Sequence, residues 1–430
     1  MVRMKLKSSP KLACGRSVAP EETVRRLKAI LDGKHDYWVH QEQVDDHLFW
    51  SALFIEGEEF RAMGKGTTAM LSHAGALAEA AEWLACRDMA ECPGYVRACP
   101  TEWEETPHLP IKDCLTHVAT VTPPVLARIE AQEAACHWVD GWSFGRQSTL
   151  KVPLEYIDII SGPNGRAAGN TLEEAIEHGV LEVFERRAHI TVLRNRLVLP
   201  TFTSESIDDP LIGEYLAFLR ELDIEVILKD CSFGGGLPCV GAYFFDPHVP
   251  KDYQFHHFFK IGAAFNGREA LIRVFTEYVQ GRARDEFIRD NASELAHLLR
   301  HDFRHLPAMP NHGDNFMSAF MFGFVPYRSA DFMRQGEAVA WTPAPGFADS
   351  RDDIEQAWSL CAQLGKDLIV VDHSDPDIGF HVARVIVPSY SDVLPFHPAS
   401  SPGLYRRLTR SEILRSYQPP PPEAHSERLV

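Results

Sequence analysis

Residues 161–189, SGPNGRAAGNTLEEAIEHGVLEVFERRAH, run from a glycine-rich bend into a helix loaded with glutamate. Thr171 and Glu174 stand three apart, the spacing of a capping box that satisfies the first free backbone N–H groups. Beyond that start, Glu174, His178, Glu182 and Glu185 fall at offsets 0, 4, 8 and 11. At about 100° per residue they form one slowly drifting polar stripe, with Ile176, Val180, Val183 and Phe184 supplying the apolar side. A solvated surface accounts for such a stripe, since glutamate is a good helix former. A chemical role is the alternative.

Two further helices repeat the pattern. LSHAGALAEAAEWLACRDM places Glu79 and Glu82 three apart on an alanine- and glycine-rich helix suited to close packing. NGREALIRVFTEYVQGRARDEF sets Arg273, Glu277 and Gln280 at offsets 0, 4 and 7, again one face. Each stripe alone reads as a solvated face; three together on otherwise apolar or small-residue helices are harder to leave in solvent. If they converge, Glu79, Glu82, Glu174, Glu182, Glu185 and Glu277 meet only Arg186 and Arg273. So many carboxylates do not stay ionised together without further cations. Mg2+ suits that need, because it takes oxygen ligands and joins carboxylates to substrate phosphates. A nucleoside triphosphate held through Mg2+ is one coherent reading, beside the solvated one.

Rival motifs are weak. GKGTT at 64–68 lacks the first glycine of a P-loop, and no G-x-G-x-x-G stands between a strand and a helix, so a Rossmann site is unsupported. CSFGGGLP reads as a plain turn before a phosphate cradle. His297, His301 and His305 share a helix face at a spacing compatible with zinc, but Arg300 and Arg304 intervene and a solvated or partner-facing helix is favoured. Trp138, Trp142 and Phe144 read as core and turn residues. The nine cysteines make no C-x-x-C pair, so the group from Cys86 through Cys92 and Cys99 to Cys114 is expected to be reduced and structural.

The chain has 430 residues, 45% of them hydrophobic, and a net charge of −17. That charge excludes a general affinity for nucleic acid or anionic membrane. No apolar run nears the roughly 18 residues of a membrane span, and no apolar region follows the basic start, so a cytoplasmic protein without a signal peptide is expected. Helices are expected at 20–32, 71–89, in the glutamate segment, at 211–223 and at 266–287. Strands are expected at 48–57, 150–160, 224–230, 238–246, 367–374 and 380–389. Strands and helices mix without a strict βαβ rhythm, which predicts an α+β fold.

The quoted segment is similar to the signature of the YcaO family, whose members carry SNG-x-x-AGNTLEEA…E-x-x-ER. The resemblance recurs, in the family's order, at GKG…ALAEAAEWL, DCSFGGGLPCVGAYFFDP, GREALIRVFTEYVQGR and HVARVIVPSYSDVLPFHP, across about residues 60–400. The last two blocks resemble most the branch associated with methylthiolation of a small-subunit ribosomal protein. The family implies an ATP-binding fold with mixed sheets and no P-loop, in which glutamates hold Mg2+, and a reaction that phosphorylates a peptide backbone amide oxygen. A neighbouring Cys or Ser then yields an azoline, and external sulfide yields a thioamide.

Carried over by position, the resemblance assigns Mg2+ to Glu79, Glu82, Glu174, Glu182, Glu185 and Glu277. It assigns ATP to Asn170, Glu174, Arg186, Arg273 and Gln280, with Arg16 as the basic residue near the N-terminus. Gly75 occupies the position where the family usually has a serine, and Ser72 lies three residues earlier. Arg186, Arg273 and Glu277 are the expected catalytic residues. Implied partners are a peptide or protein substrate and a TfuA-like or leader-binding protein, or a methylthiotransferase, with a homodimer as one assembly. An accessory role in ribosomal protein methylthiolation and an ATP-binding scaffold are the alternatives to direct catalysis. The expected domains are 1–59 as an N-terminal contribution to the ATP domain, 60–400 as the YcaO domain, and 401–430 as a polar, proline-rich tail.

In azoline-forming relatives a chain end resembling P-x-P-x-P enters the active site. Here Pro419–Pro422 is followed by Glu423, Glu427 and Arg428, and burying those charges beside carboxylates is costly. Deleting residues 419–430 is therefore expected to change ATP turnover by less than about threefold, below the ~1.4 kcal/mol that a tenfold change represents. Turnover lost with folding and ATP binding intact places the tail in the chemistry instead.

Overall fold

Proline and aspartate set many of the element boundaries. Pro20 starts a helix at Pro20–Leu31, Pro210 starts another at Pro210–Glu221 behind the Asp209 cap, and Asp349 caps Ser350–Gln363 by accepting from the Arg351 N–H. A proline in the first helical turn loses nothing, since its missing N–H has no intrahelical partner there. The computed structural model describes residues 4–56, 61–86, 92, 94–97, 106–110, 113–114, 137–251, 255–290, 325, 330–374 and 380–391. His297, His301, His305, Cys99, Cys136 and the tail from 401 lie outside the described residues.

In chain order the strands are β1 (Tyr37–Asp45), β2 (Leu48–Ile55), β3 (Arg61–Gly66), β4 (Val96–Arg97), β5 (His137–Ser143), β6 (Ser148–Val152) and β7 (Arg166–Gly169). β8 (Thr201–Phe202), β9 (Glu225–Asp230), β10 (Cys239–Phe245), β11 (His257–Ala263), β12 (Ala338–Val339), β13 (Ile369–Asp372) and β14 (His381–Ile386) follow. The longer helices include Ala69–Ala85, Leu172–Asn195 and Gly267–Asp290, the three that carry the glutamate stripes. The α+β expectation holds.

One expected strand is different. Residues 150–160 do not form a single strand: β6 ends at Val152 and a helix runs Leu154–Ser161. Pro153, immediately before that helix, has no N–H for a strand ladder and a fixed φ of −79°. β1, β3, β5, β7 and the Ser350–Gln363 helix are among the elements beyond those expected.

The chain divides into two compact units. Unit 1 comprises residues 1–11, 82–187 and 348–430. Its sheet runs β4-β5-β13-β14-β7, with β6 also paired to β5. Trp138, Val139, Leu150, Val152, Tyr156, Ile369 and Ile386 form its buried cluster; Trp142 and Phe144 are also buried, as expected of core residues. Unit 2 comprises residues 12–81 and 188–347. It holds an antiparallel β1-β2-β3 sheet and a five-stranded sheet ordered β11-β10-β9-β8-β12. The Gly267–Asp290 helix packs against β10 and β11 and also against β2 and β3. Phe244, Phe258, Phe275 and Tyr278 close the core there.

No helix among the described residues is long and apolar enough to cross a membrane. None of the described cysteines is in a disulfide. Burial pushes the Cys86 and Cys361 thiols up to about 12, where they are neutral and inert.

In unit 1 the N-terminal segment is bound to two helix starts. Ser9 N–H donates to Asp349 Oδ1 at 2.8 Å, and Ser9 and Thr171 hydroxyls meet at 2.8 Å. Lys11 Nζ sits 2.6 Å from Glu177 and also contacts Asp353, whose side chain is fully buried. One lysine thus serves two carboxylates. Burial, with Glu177 alongside, pushes Asp353 up to about 8. The folded protein then holds a proton that an unfolded aspartate releases near pH 4, so this group's contribution to stability falls as pH rises from about 4 to about 8. Asp353→Asn leaves Lys11 paired with Glu177 and is expected to flatten the decline in urea-unfolding stability between pH 5 and pH 8. An unchanged slope excludes Asp353 as its source.

Candidate active site

The glutamate helix begins as its sequence requires. Thr171 Oγ1 accepts from the Glu174 N–H at 3.0 Å, one half of the capping box. The Glu174 carboxylate, 2% exposed, accepts from Asn170 Nδ2 at 3.3 and 3.4 Å. Ile176, Val180, Val183 and Phe184 are fully buried, whereas Glu182, Glu185 and Arg186 are half-buried. The expected stripe is therefore partly enclosed. Glu173 and Glu177 are buried too, against the Lys7 N–H and Lys11.

Glu182 is the most informative of these residues. Its Oε1 accepts from the Gly165 N–H at 3.4 Å and lies 4.0 Å from Arg186 Nε. Gly165, at φ +82°, leaves no room for a side chain, since a Cβ would stand 2.2 Å from the Val385 carbonyl oxygen. The Glu182 side chain is 28% exposed yet surrounded by protein on most sides. That burial pushes its carboxyl above the usual range, Glu185 adding to the rise while Arg186 and the Gly165 N–H oppose it.

A buried ion cluster underlies this part of unit 1. Asp158, on the Leu154–Ser161 helix, is 2.7 Å from Arg166 Nη2 and 3.4 Å from Arg384 Nη1. Arg384 is fully buried, donates to Ser161 Oγ at 3.0 Å, and pairs in register with Arg166 across β14 and β7. Burial pulls the Arg384 guanidinium down to about 10, with Asp158 resisting. Arg166 and Arg384 were not among the expected residues. An arginine inside the apolar run HVARVIV was their signal.

In unit 2, Glu79 Oε2 accepts from the Met63 N–H of β3 at 2.8 Å. Gly75 lies where the same helix crosses β3, an added Cβ standing 3.2 Å from Gly64 Cα. Ser72 is fully buried beside Ser51 at 2.9 Å. Arg16 is half-buried in a turn, its carbonyl accepting from the Leu12 N–H. Arg273, Glu277 and Gln280 share one half-buried helix face, as their spacing requires, while Val274, Phe275 and Tyr278 are buried. Glu277 contacts Lys65 through Oε2 and lies 3.4 Å from Lys260 Nζ through Oε1. Glu82, in unit 1, is half-buried.

Within the units the structure joins Asn170 to Glu174 and Glu182 to Arg186. Among the described residues, no three His, Cys, Asp or Glu side chains stand ready as a metal cluster. The donor chemistry nevertheless fits Mg2+. The assigned ligands are all carboxylates, which suit a hard cation, and Glu182 is held in a state that a bound cation relieves.

Residues 63–391 match the family model described as YcaO cyclodehydratase, ATP- and Mg2+-binding. The fold matches a heterocyclase solved in complex with substrate and cofactor, with a TM-score of 0.67 at 21% identity, over 90% of this chain and 54% of that one. It also matches YcaO from Methanopyrus kandleri, solved with AMPPCP and Mg2+, with a TM-score of 0.61 at 19% identity, over 89% of this chain and 94% of that one. In sequence the chain is 24% identical over 259 residues to the ribosomal protein S12 methylthiotransferase accessory factor YcaO of Escherichia coli, covering 59% of this chain and 41% of that protein. The chain spans about two fifths of the length of the first curated relatives it matches. Fold and motifs together define a YcaO-type α+β protein. The chain belongs to the YcaO family.

Asp158 pairs with the fully buried Arg384 and the half-buried Arg166. Asp158→Asn removes their shared partner and is expected to lower urea-unfolding stability by about 3–5 kcal/mol. A loss below about 1 kcal/mol, within the range of an exposed pair, indicates that the arginines have other counter-ions.

Proposed function

We propose that this chain uses ATP and Mg2+ to activate a peptide backbone amide for modification such as thioamide or azoline formation. The observation that carries the reading is the half-buried state of the carboxylate and arginine stripes. Glu182, Glu185 and Arg186 on one helix, and Arg273, Glu277 and Gln280 on another, are neither solvated faces nor core. Membership of an ATP- and Mg2+-binding family supports it.

Glu79, Glu82, Glu174, Glu182, Glu185 and Glu277 are assigned to Mg2+, which when bound offsets phosphate charge. Arg16, Gly75, Asn170, Glu174, Arg186, Arg273 and Gln280 are assigned to ATP. Arg186 and Arg273 carry fixed positive charge for the transferring phosphoryl group, and with Glu277 they are the proposed catalytic set. An amide oxygen leaves poorly as oxide; once phosphorylated it departs as phosphate when a nucleophile attacks the carbon. Most of the task is therefore alignment and charge neutralisation. Residues 1–59 are counted with the ATP domain of 60–400, and the bonds from Ser9 and Lys11 to Thr171 and Glu177 support this for the first part of that segment.

A second reading is an accessory factor for methylthiolation of a ribosomal protein, supported by the likeness to the Escherichia coli factor. A peptide or protein substrate, delivered by a separate partner in the cytoplasm, suits both readings.

Glu182→Gln and Glu277→Gln are each expected to weaken Mg2+-dependent ATP binding at least about tenfold, ~1.4 kcal/mol, in calorimetry of the folded variants. Undiminished binding in both, or in wild-type protein with excess chelator, rejects the carboxylate-held nucleotide.

A further inference from the structure

β1 is the longest strand among the described residues, nine residues, and it forms one edge of the β1-β2-β3 sheet. Antiparallel pairing to β2 uses the N–H and C=O groups of alternate residues, and the others point away from the sheet. Among the described residues, no backbone other than that of β2 is bonded to β1. Edge strands are ordinarily guarded by lysine, proline or a bulge. YWVHQEQVD contains no lysine, arginine or proline, and its one irregularity, between Gln43 and Asp45, lies at the hairpin end. The edge is unguarded.

One row of β1 side chains holds the strand in place. Tyr37 OH donates to Asp32, at the end of the Pro20–Leu31 helix, at 2.8 Å. Gln41 Nε2 donates to the Ala69 carbonyl, at the start of the Ala69–Ala85 helix, at 2.7 Å. The other row carries Trp38 and Glu42. Trp38 stacks on Phe54 at 4.1 Å and 12°, and remains 46% exposed. Glu42 accepts from Trp50 Nε1 at 3.1 Å, with its side chain still 47% exposed. Residues 36–46 include Asp36, Glu42, Asp45 and Asp46 but no lysine or arginine.

We propose that β1 is a docking edge for an extended, basic segment of the peptide or protein substrate, which joins the sheet as a fourth strand. The inference rests on the reading of a peptide-modifying protein and adds the element that receives the chain. In such an addition, main-chain bonds give affinity and alternate side chains give specificity. Trp38 and Glu42 are four residues apart on one face, about 13–14 Å along the strand. The docked segment therefore places an apolar side chain opposite Trp38 and a lysine or arginine opposite Glu42, also four residues apart. A second copy of this chain fits the edge less well, because each copy carries a net charge of −17 and meets the other at an acidic strand.

The test measures fluorescence anisotropy of a labelled nonapeptide of threonines with phenylalanine third and lysine seventh, mixed with the full chain. Binding is expected, and glutamate in place of the lysine weakens it about threefold or more. Glu42→Lys reverses that preference, and Glu42→Gln, which keeps an acceptor for Trp50, removes it should the lysine variant not fold. N-methylation of alternate peptide residues abolishes binding in one parity and spares it in the other, since an added strand turns only alternate N–H groups toward β1. Equal losses in both parities, a charge preference unchanged by the Glu42 variants, or no binding up to about 1 mM overturns the proposal. Sedimentation showing a dimer that Glu42→Lys dissociates assigns the edge to a second copy instead and overturns it too. ATP binding with Mg2+ is measured on the same samples. Nucleotide bound without peptide rejects the docking edge alone, whereas no nucleotide binding rejects the reading on which it rests.

Discussion

A carboxylate removed from water must find a cation, a hydrogen-bond donor or a proton, and that requirement organises both units. In unit 1, Lys11 serves Glu177 and Asp353, Arg166 and Arg384 serve Asp158, and Asn170 serves Glu174. In unit 2, Lys65 and Lys260 serve Glu277, and the Met63 N–H serves Glu79. A hydrophobic core supplies the driving force for collapse, but it does not specify which polar atoms meet. The buried ion pairs do, because a carboxylate left without its partner costs about 3–5 kcal/mol. The N-terminal segment illustrates this, since Ser9 and Lys11 bond to the starts of the Leu172–Asn195 and Ser350–Gln363 helices that lie far from it in sequence.

The two kinds of buried acid are not equivalent. Asp158 is 2% exposed, its charge matched from below and its surroundings closed. Such a group is structural. Glu182 and Glu277 are instead 28% and 25% exposed, open on one side and held on the other by a backbone N–H and lysines respectively. A side chain held by protein donors and still partly exposed is preorganised for an additional ligand. That distinction separates Glu182 and Glu277 from Asp158.

The stripes on the three long helices were legible because helical periodicity is regular and survives any tertiary arrangement: Arg273, Glu277 and Gln280 share the face their spacing required. The Thr171 cap was legible for the same reason, being a matter of local geometry. What escaped was non-local. Neither Lys260 nor Arg384 announces its partner, since Glu277 and Asp158 reach them only through strand pairing and helix packing. The strand expected at 150–160 failed on competition between two signals. Leu, Ile and Val in LKVPLEYIDII favour a strand, but Pro153 stops the ladder, and the chain beyond it turns helical. Gly75 shows the converse case. The resemblance placed it at a nucleotide position, while its nearest neighbour in unit 2 is Gly64, where helix and strand approach too closely for side chains on both.

The same accounting bears on why basic residues missed by periodicity stand beside the acids that periodicity found. A site meant to accept a dication and a polyphosphate must be stable in their absence, when its carboxylates would otherwise repel one another or take up protons. Fixed lysines and arginines answer that need without a ligand, at the cost of opposing the metal when it arrives. Arg384 is sealed in the core and cannot withdraw; Lys65 is partly exposed and can. Counter-ions of the first kind define the fold, and counter-ions of the second kind leave room for exchange. Lys260 lies between the two, buried like Arg384 but bonded to a partly exposed acid.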